Sequence, residues 1–397
     1  MKGNALDDQR EKRLPFPKLV GKKTAALKDT CILIMGQSPS SESYNINGKG
    51  LPFYQGNADF GEDNPTPRSW CTDPKKIAEK GDILISVRAP IGAINIANER
   101  CCIGRGIAAI RPNQDLMSTN YLRHQLSASR SKLEAMGTGS TFKAIGKKAL
   151  SDFAIALYSK SEQEVIAHRL DCIAAQIKAA NNQLIRFDAL IKSRFVEMFG
   201  DPCNPEDGKE RKRLDSFCEL RIGPFGSTLH KEDYITGGHP LVNPSHIANG
   251  VVKPDSNLTI DEEKYESLAV YHLLPGDVVL GRRGEIGRCA VVDKSGMICG
   301  TGSMILRPSQ EIRSDYLQRV VSFPSFSRAL ENNAVGVTMK NLNAAIVGSA
   351  EIFLPELAEQ DAFIEFVSQV DKLRFATQQQ IDKLETLKKS LMQEYFE

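Results

Sequence analysis

The chain contains one short sequence twice. GDILISVRAPIG occupies Gly81 to Gly92, and GDVVLGRRGEIG occupies Gly276 to Gly287. Arg88 in the first copy corresponds to Arg283 in the second, an offset of 195 residues (283 minus 88). An internal repeat constrains the fold more than any other sequence feature, because each copy must fold into the same kind of unit.

Further matches extend the repeat across the chain, and their offset drifts only in small steps, as insertions in surface loops would cause. They pair IGRGIAAIRP at Ile103 with CGTGSMILRP at Cys299, GSTFKAIG at Gly139 with GVTMKNLN at Gly336, Glu162-Gln163 with Glu359-Gln360, LIKSRFVEMF at Leu190 with LKKSLMQEYF at Leu387, and GLPFYQGNADF at Gly50 with GHPLVNPSHI at Gly238. Each copy is roughly 195 residues long, which excludes a solenoid of 20- to 50-residue repeats.

Each copy has two parts of different character. The first part contains short β-like runs such as GDILISV and SMILRP, separated by Gly, Pro, Asn and Asp. These patterns predict an irregular mixed β domain with one or two helices, such as residues 120 to 135. The second part contains no Gly or Pro between Ser161 and Phe199, nor between Glu356 and the C-terminus, and predicts one long helix in each copy.

Apolar residues in the two predicted helices recur at alternating spacings of four and three, the spacing of a coiled-coil seam. The alternative is that each helix packs only on its own domain, but the matched offset favours packing of the helices on each other. The seam is predicted to comprise Ile166, Leu170, Ile173, Ile177, Leu184 and Ile191 in the first helix, and Phe363, Val367, Val370, Ile381, Leu384 and Leu391 in the second. A helix of this length spans roughly 60 Å.

Composition excludes several classes of protein. Hydrophobic residues make up 41% and charged residues 25% of the chain, as in an ordinary soluble globular protein. The net charge of +2 neither requires nor excludes a polyanionic partner. The nine cysteines are scattered without a C-x-x-C pair, and we expect reduced thiols in the cytoplasm and no metal site. The N-terminus lacks the apolar segment of a signal peptide.

The first copy is similar to a known family in its motifs. GQSPSSESYN, GLPFYQGNADFGE, GDILISVRAPIGAINIA and CCIGRGIAAIRP resemble the first target-recognition domain of type I restriction–modification specificity subunits, and KSRFVEMFGDP at Lys192 resembles the end of their first spacer helix. The resemblance extends from about Lys22 to the C-terminus and includes both copies.

This resemblance implies a fold and a function. The expected fold class is α+β, with two pseudo-symmetric mixed α/β target-recognition domains separated by two long antiparallel helices that form a coiled coil. Each domain would read one half of an asymmetric, bipartite double-stranded DNA site, and the helices would set the distance between the halves. The implied partners are two adenine-N6 methyltransferase (modification) subunits and restriction subunits. S-adenosylmethionine, ATP and Mg would belong to those partners, with no catalytic residue and no cofactor in this chain.

The expected domain boundaries follow from the repeat and the resemblance. They are a charged N-terminal leader at 1–21, target-recognition domain 1 at 22–158, spacer helix 1 at 159–200, a linker at 201–211, target-recognition domain 2 at 212–355 and spacer helix 2 at 356–397.

Cations that contact phosphates, and amides or guanidinium groups that contact base edges, are the side chains that a DNA reader needs. Loop positions that carry such residues, or that correspond to them in the other copy, are the candidate contacts. They are Gln55, Asn57, Arg88, Arg105 and Lys143 in the first copy, and Asn243, Arg282, Arg283, Thr301, Lys340 and Asn341 in the second. Positions shared by both copies favour backbone contacts, and differing positions, such as Arg105 against Thr301, favour base choice.

Other interpretations of these residues remain open at this stage. Asp82 could pair with Arg88, and Asp277 with Arg283, as ion pairs within a hairpin. Tyr54 and Trp70 could be core residues or could contact DNA.

Three other functions are alternatives for the whole chain. NPSH at Asn243 faintly resembles an adenine-methylase motif, and Pro254-Asp255 before Glu262-Glu263-Lys264 resembles a nuclease motif, but neither has the expected sequence context. The remaining alternative is a scaffold module that binds no nucleic acid and uses its helices as a docking rod.

Overall fold

The computed structural model describes residues 21–139, 143–203, 208–225, 228–248, 250–284, 286–336 and 340–397. Residues 1–20 of the predicted leader and 204–207 of the predicted linker lie outside the described residues. The chain divides into two units of similar size. The first unit comprises Met1–Asn182 and Gln378–Glu397, and the second comprises Gln183–Thr377.

The first unit is a mixed α/β unit whose strands are short. Its strands are β1 Lys23–Ala26, β2 Cys31–Met35, β3 Tyr44–Asn45, β4 Leu51–Tyr54, β5 Trp70–Cys71, β6 Ile77–Ala78, β7 Ile83–Ser86, β8 Ile94–Ile96, β9 Cys101–Ile103, β10 Ile107–Pro112 and β11 Ala154–Leu157. Its helices are α1 Leu27–Thr30, α2 Thr119–Ala128, α3 Arg130–Ala135, α4 Lys147–Ser151, the first part of α5 Lys160–Phe199 and the last part of the C-terminal helix. The segment predicted to be helical at 120–135 forms two helices, because Ser129 interrupts the helical conformation between them.

The second unit contains a comparable set of elements. Its strands are β12 Arg211–Arg213, β13 Cys218–Ile222, β14 His239–Val242, β15 Ile247–Ala248, β16 Val251–Val252, β17 Thr259–Ile260, β18 His272–Leu273, β19 Val278–Gly281, β20 Cys289–Val291, β21 Met297–Cys299, β22 Ser303–Pro308 and β23 Glu351–Phe353. Its helices are the last part of α5, then α6 Glu262–Ser267, α7 Ser314–Val321, α8 Pro324–Asn333, α9 Ala344–Gly348 and the first part of α10 Leu357–Phe396.

Each unit contains a four-stranded antiparallel sheet with the same strand order. The order is β2-β10-β7-β8 in the first unit and β13-β22-β19-β20 in the second. A second, mixed sheet in each unit contains one parallel pair, β4 with β9 and β14 with β21. The four-stranded sheet and the parallel pair thus occur in both units, although the mixed sheet has five strands in the first unit and four in the second.

The third strand in the order of each four-stranded sheet is buried on both faces. Ile83 and Ile85 of β7 lie in one hydrophobic cluster, and Leu84 between them lies in another. In β19, Val278 and Val279 divide between two clusters in the same way. Successive side chains of a strand point to opposite faces, so each strand connects two cores.

The residues predicted for the helical seam lie on the buried faces of α5 and α10. Ile166, Leu170, Ile173, Ile191, Phe363, Val367, Val370 and Ile381 are buried, and Ile177, Leu184, Leu384 and Leu391 are half-buried. Gly200 adopts φ +80 immediately after α5, a left-handed conformation that commonly ends helices. That the two helices form one coiled coil remains a prediction.

Within each unit, the segments of α5 and α10 run in opposite directions. In the first unit Arg169 Nη1 donates to Tyr395 Oη (2.9 Å), whereas Ile177, farther along α5, lines a cavity with Lys388, nearer the start of α10. In the second unit Arg374 Nη1 lies 3.1 Å from Asp188 Oδ1, and the Phe199 ring lies 5.5 Å from that of Phe363.

A buried glutamine connects the start of each long helix to its own unit. Gln163 Oε1 accepts from Ser118 N (2.8 Å), and Gln163 Nε2 donates to the carbonyls of Leu116 and Tyr158 (both 2.9 Å). Gln360 makes the corresponding three bonds with Arg313 N, Glu311 O and Pro355 O. This contact explains the repeated Glu-Gln pair, because the preceding glutamate accepts from the backbone N–H before each helix.

Candidate nucleic-acid interface

Three loops of the first unit meet through backbone hydrogen bonds. Val87 N donates to Gly106 O (2.9 Å), and Ile145 N donates to Val87 O (2.9 Å). Gly106 N donates to Gln55 O (3.1 Å), which adds the end of β4 to the same place. These bonds bring together four of the candidate contacts, and we name them the first loop cluster: Gln55, Arg88, Arg105 and Lys143.

Every side chain of the first loop cluster is exposed. Within the described part of the chain, no carboxylate forms an ion pair with Arg88, Arg105 or Lys143. Asn57, the fifth candidate of this copy, is half-buried in a short 3₁₀ turn, Asn57–Asp59, beside the cluster. The first loop cluster therefore presents three cations and one amide to solvent.

Close backbone packing fixes the position of Arg105. A Cβ atom at Gly106 would lie 2.3 Å from the Gln55 carbonyl oxygen, so only glycine fits there. Gly104 and Gly106 are buried on either side of the exposed Arg105. The guanidinium group thus extends from a rigid, glycine-flanked turn, which is a suitable support for a base or phosphate contact.

The second unit joins the corresponding loops with the same backbone bonds. Arg282 N donates to Gly302 O (3.0 Å), and Leu342 N donates to Arg282 O (3.0 Å). We name the second loop cluster after its candidates: Asn243, Arg282, Arg283, Thr301, Lys340 and Asn341. The sequence alignment of the two copies therefore matches loops that occupy equivalent places in the two units.

Arg282 is buried, which corrects its prediction as a surface contact. Its exposed fraction is 3%, its Nε donates to Leu342 O (3.0 Å), and its Nη1 donates to Thr301 O (3.3 Å). Burial lowers the pKa of this guanidinium, and the neighbouring charge of Arg283 lowers it further. Arg282 stands where the first copy has the buried Val87, so it joins two loops beneath the surface.

The side chain of Asn243 also faces its own backbone. Its Oδ1 accepts from Gly302 N (3.3 Å), a bond that the main chain of Gln55 makes in the first unit. A Cβ atom at Gly300 would lie 2.2 Å from this oxygen. Asn243 therefore holds the loop of Thr301, whereas Gln55 performs the same task with its carbonyl group and leaves its side chain exposed.

The other candidates of the second loop cluster are less exposed or already paired. Arg283 is half-buried and forms a β-bridge with Asn341, whose Oδ1 is buried without a hydrogen-bond partner among the described residues. Lys340 is exposed, and its Nζ lies 3.5 Å from Glu331 Oε1. Thr301 is half-buried. Whether any of these residues touches DNA stays a prediction.

The hairpin ion pairs considered from the sequence are wrong. Asp82 is bound by Arg111, whose Nε and Nη2 each lie 2.8 Å from a carboxylate oxygen, and Arg307 binds Asp277 with the same two distances. Strand register explains this choice, because Ile110 pairs with Ile83 and so places the next residue, Arg111, beside Asp82. Arg88 is consequently left available at the surface.

Two exposed residues near the loop clusters were missed by the sequence analysis. Gln37 follows β2, and its N–H donates to Ile103 O (3.0 Å), next to the loop of Arg105. Phe225 follows β13 and is 53% exposed, two residues after Gly223, which packs against the Gly300 carbonyl. The signal that could have found them is a glycine directly after a strand in both copies, in GQSP and GPFG.

The residues of the methylase-like and nuclease-like motifs have structural roles. Pro244–His246 forms a 3₁₀ turn, and His246 Nδ1 lies 2.8 Å from Leu241 O. Glu262 binds His239 (2.9 Å), and Lys264 binds Asp233 (3.1 Å).

Tyr54 is wholly buried and Trp70 half-buried, which places the first in the core. In the described ranges, no helix has the length and apolar character needed to cross a membrane.

Comparison with known proteins agrees with this architecture. The family model of the type I restriction modification DNA specificity domain matches residues 20–186 and 206–386, once for each copy. A putative type I restriction enzyme specificity subunit, MjaX of Methanocaldococcus jannaschii, is 47% identical over 141 residues, which cover 36% of this chain and 33% of that protein. The chain matches about one third of the length of this relative and about two thirds of the EcoBI specificity subunit of Escherichia coli.

Two solved structures share the fold across almost the whole chain. The S subunit of a type I restriction-modification system from M. genitalium matches with a TM-score of 0.57 and 14% identity, over 97% of this chain and 98% of that one. A chain from a structure of complex assembly and conformational transition of the type I R-M system matches with a TM-score of 0.63 and 16% identity, over 96% and 99%. With its two matched copies and this fold, the chain belongs to the family of type I restriction–modification DNA specificity subunits.

Proposed function

We propose that this chain is the non-catalytic subunit that gives a type I restriction–modification complex its DNA specificity. Target-recognition domains at 22–158 and 212–355 would each read one half of a bipartite site. The observation that carries the proposal is the pair of loop clusters, in which two corresponding backbone hydrogen bonds join the loops of both units. Because their side chains differ, the two half-sites would differ, and the target would be asymmetric rather than palindromic.

The long helices would set the distance between the half-sites. The proposed spacers are 159–200 and 356–397, with the linker at 201–211. Antiparallel packing within each unit, through Arg169 with Tyr395 and Asp188 with Arg374, supports one continuous antiparallel coiled coil related by a pseudo-two-fold axis. Protein dimers place two reading heads at a fixed spacing on DNA, and this chain would do so within one polypeptide.

Partner subunits would supply the chemistry. Two adenine-N6 methyltransferase subunits and restriction subunits would dock on this chain in the cytoplasm, and S-adenosylmethionine, ATP and Mg would act in those partners. Sequence choice would come from this chain, through base contacts in both domains and the length of its spacer.

The salt dependence of DNA binding distinguishes this proposal from a scaffold that binds no nucleic acid. A reader that neutralises several phosphates releases counterions, so its affinity for duplex DNA falls steeply as salt rises. The experiment titrates a labelled duplex with the full chain, with and without methyltransferase subunits, between about 0.05 and 0.3 M salt. A steep linear fall in log K against log salt supports the reader, and no binding or a flat response contradicts it.

A further inference from the structure

The first loop cluster presents more unpaired positive charge than the second. Arg88, Arg105 and Lys143 are all exposed, and none has a carboxylate partner among the described residues. An exposed cation without an internal partner is free to bind a phosphate without first breaking an ion pair. The first unit therefore offers three such cations on one surface.

At each of the three matched cation positions, the second loop cluster presents less free positive charge. Thr301 replaces Arg105 and removes one charge. Lys340, which matches Lys143, lies 3.5 Å from Glu331 Oε1, so a carboxylate offsets its charge. Arg283, which matches Arg88, is half-buried.

The additional arginine of the second copy does not restore the balance. Arg282 is 3% exposed, and its guanidinium donates to the carbonyls of Leu342 and Thr301. A buried guanidinium bound to its own loops cannot release counterions from DNA. Apart from the buried Arg282, the half-buried Arg283 is the only cation of the second loop cluster without a carboxylate partner among the described residues.

We propose that the first loop cluster binds DNA phosphates and anchors the first unit on DNA, whereas the second loop cluster contributes little salt-dependent affinity. This inference rests on the proposed function, since it concerns how the two reading domains share the work. The occupant of the first loop cluster would be the phosphate backbone of duplex DNA. The second loop cluster would act mainly through contacts that do not release counterions, and so through base edges and groove shape.

Matched charge removals test the division. The full chain with R88Q and K143Q is compared with the chain carrying R283Q and K340Q, on a duplex of arbitrary sequence. Loss of two phosphate contacts reduces the magnitude of the negative slope of log K against log salt by about 1.8, and it weakens binding on the order of 50-fold at 0.1 M salt. We expect this loss for the first pair and a slope change below about 1 for the second pair.

A matched control separates local contacts from net charge. R100Q and K75Q remove two exposed cations that pair with Glu79 and Asp73 outside both clusters. This control should leave the slope within about 0.5 of the unmodified chain. Thermal unfolding followed by circular dichroism confirms that each variant is folded before its binding is interpreted.

A gain of charge gives a second, independent readout. Thr301→Arg places a cation between Gly300 and Gly302, the same glycine-flanked turn that presents Arg105 in the first unit. Thr301→Arg should increase the magnitude of the negative slope by about 1, whereas Thr301→Gln should not. Equal losses for the two matched pairs, or a larger loss for the second pair, would overturn the division of charge. An unmodified chain that binds without salt dependence would instead reject the proposed function itself.

Discussion

Arg111 donates two parallel hydrogen bonds of 2.8 Å to the buried carboxylate of Asp82, and Arg307 donates two bonds of the same length to Asp277. Both aspartates are 2% exposed, and each also accepts a backbone N–H from the turn before its strand, of Glu79 or Leu274. The repeated Gly-Asp turn is thus a structural device that joins neighbouring strands of each four-stranded sheet. This leaves Arg88 and Arg283 for another role.

Removal of Arg111 should destabilise the first unit strongly. The Arg111→Ala variant leaves the Asp82 carboxylate buried with no guanidinium partner, and loss of one partner of a buried ion pair typically costs about 3 kcal/mol. Urea denaturation followed by circular dichroism measures the change in the free energy of unfolding. The control is Arg88→Ala, which we expect to change this free energy by less than about 0.5 kcal/mol. Similar losses of stability for both variants would contradict this account and support an ion pair between Asp82 and Arg88.

Replacement of the buried glutamine at a helix start should reduce the free energy of unfolding more than replacement of an exposed glutamine in the same helix. Gln163→Ala leaves Ser118 N and two carbonyl groups without their buried partner, so we expect a loss of about 2 to 4 kcal/mol in the free energy of unfolding. Gln360→Ala should act similarly in the second unit. Gln176, exposed on α5, is the control, and its alanine variant should lie within about 0.5 kcal/mol of the parent chain.

The stability of the second unit should fall as pH rises above 6.5. The hydrogen bond with Glu262 raises the pKa of His239, whose imidazole also stacks on Tyr265 at 3.8 Å. Because the folded pKa lies above the unfolded value near 6.5, this contribution is complete below pH 6.5 and is lost as pH rises through the folded pKa. Urea midpoints between pH 5 and 9 measure it.

The matched variants for this pH dependence are Glu262→Gln and Glu263→Gln. The first removes the carboxylate that binds His239 and should flatten the fall in urea midpoint above pH 6.5. The second changes an exposed neighbour and should preserve it. An unchanged pH profile in Glu262→Gln would show that this ion pair does not control the titration of His239.

Exchange of the second recognition domain should alter only one half of the recognised site. Residues from about Lys212 to Pro355 would be replaced with the corresponding segment of another specificity subunit, and methylated adenines would be mapped in cells that carry the complete complex. The first half-site should stay the same, because the first loop cluster is built entirely within the first unit. Changes in both half-sites would reject independent reading heads.

The sequence predicted the long helices better than the sheets, for a physical reason. A helix of 40 residues without Gly or Pro repeats its apolar pattern many times, and the observed bounds of α5, Lys160–Phe199, follow that pattern closely. Many strands contain only two or three residues, too few to establish an alternating pattern, and their partners are distant in the chain. The sheet order therefore emerged only from the structure.

Candidate contacts were predicted unevenly because the sequence does not reveal the direction of a side chain. The structure brings together the loops of Arg88, Arg105 and Lys143, which the sequence suggested as separate candidates. The aligned repeats gave no sign that Arg282 replaces the core residue Val87, since arginine is seldom buried without an acidic partner. Likewise, the partner of Asp82 stands on β10, 29 residues away, where only strand register brings it near.

The most direct test of the account lengthens the spacer. One heptad is inserted into each long helix, after Asn182 and after Thr377, which preserves the apolar seam and adds up to about 10 Å, or about three base pairs. The recognised site is then read from methylated adenines in cells that carry the complete complex. The account predicts two unchanged half-sites separated by a longer gap. Altered half-sites at an unchanged spacing would contradict it.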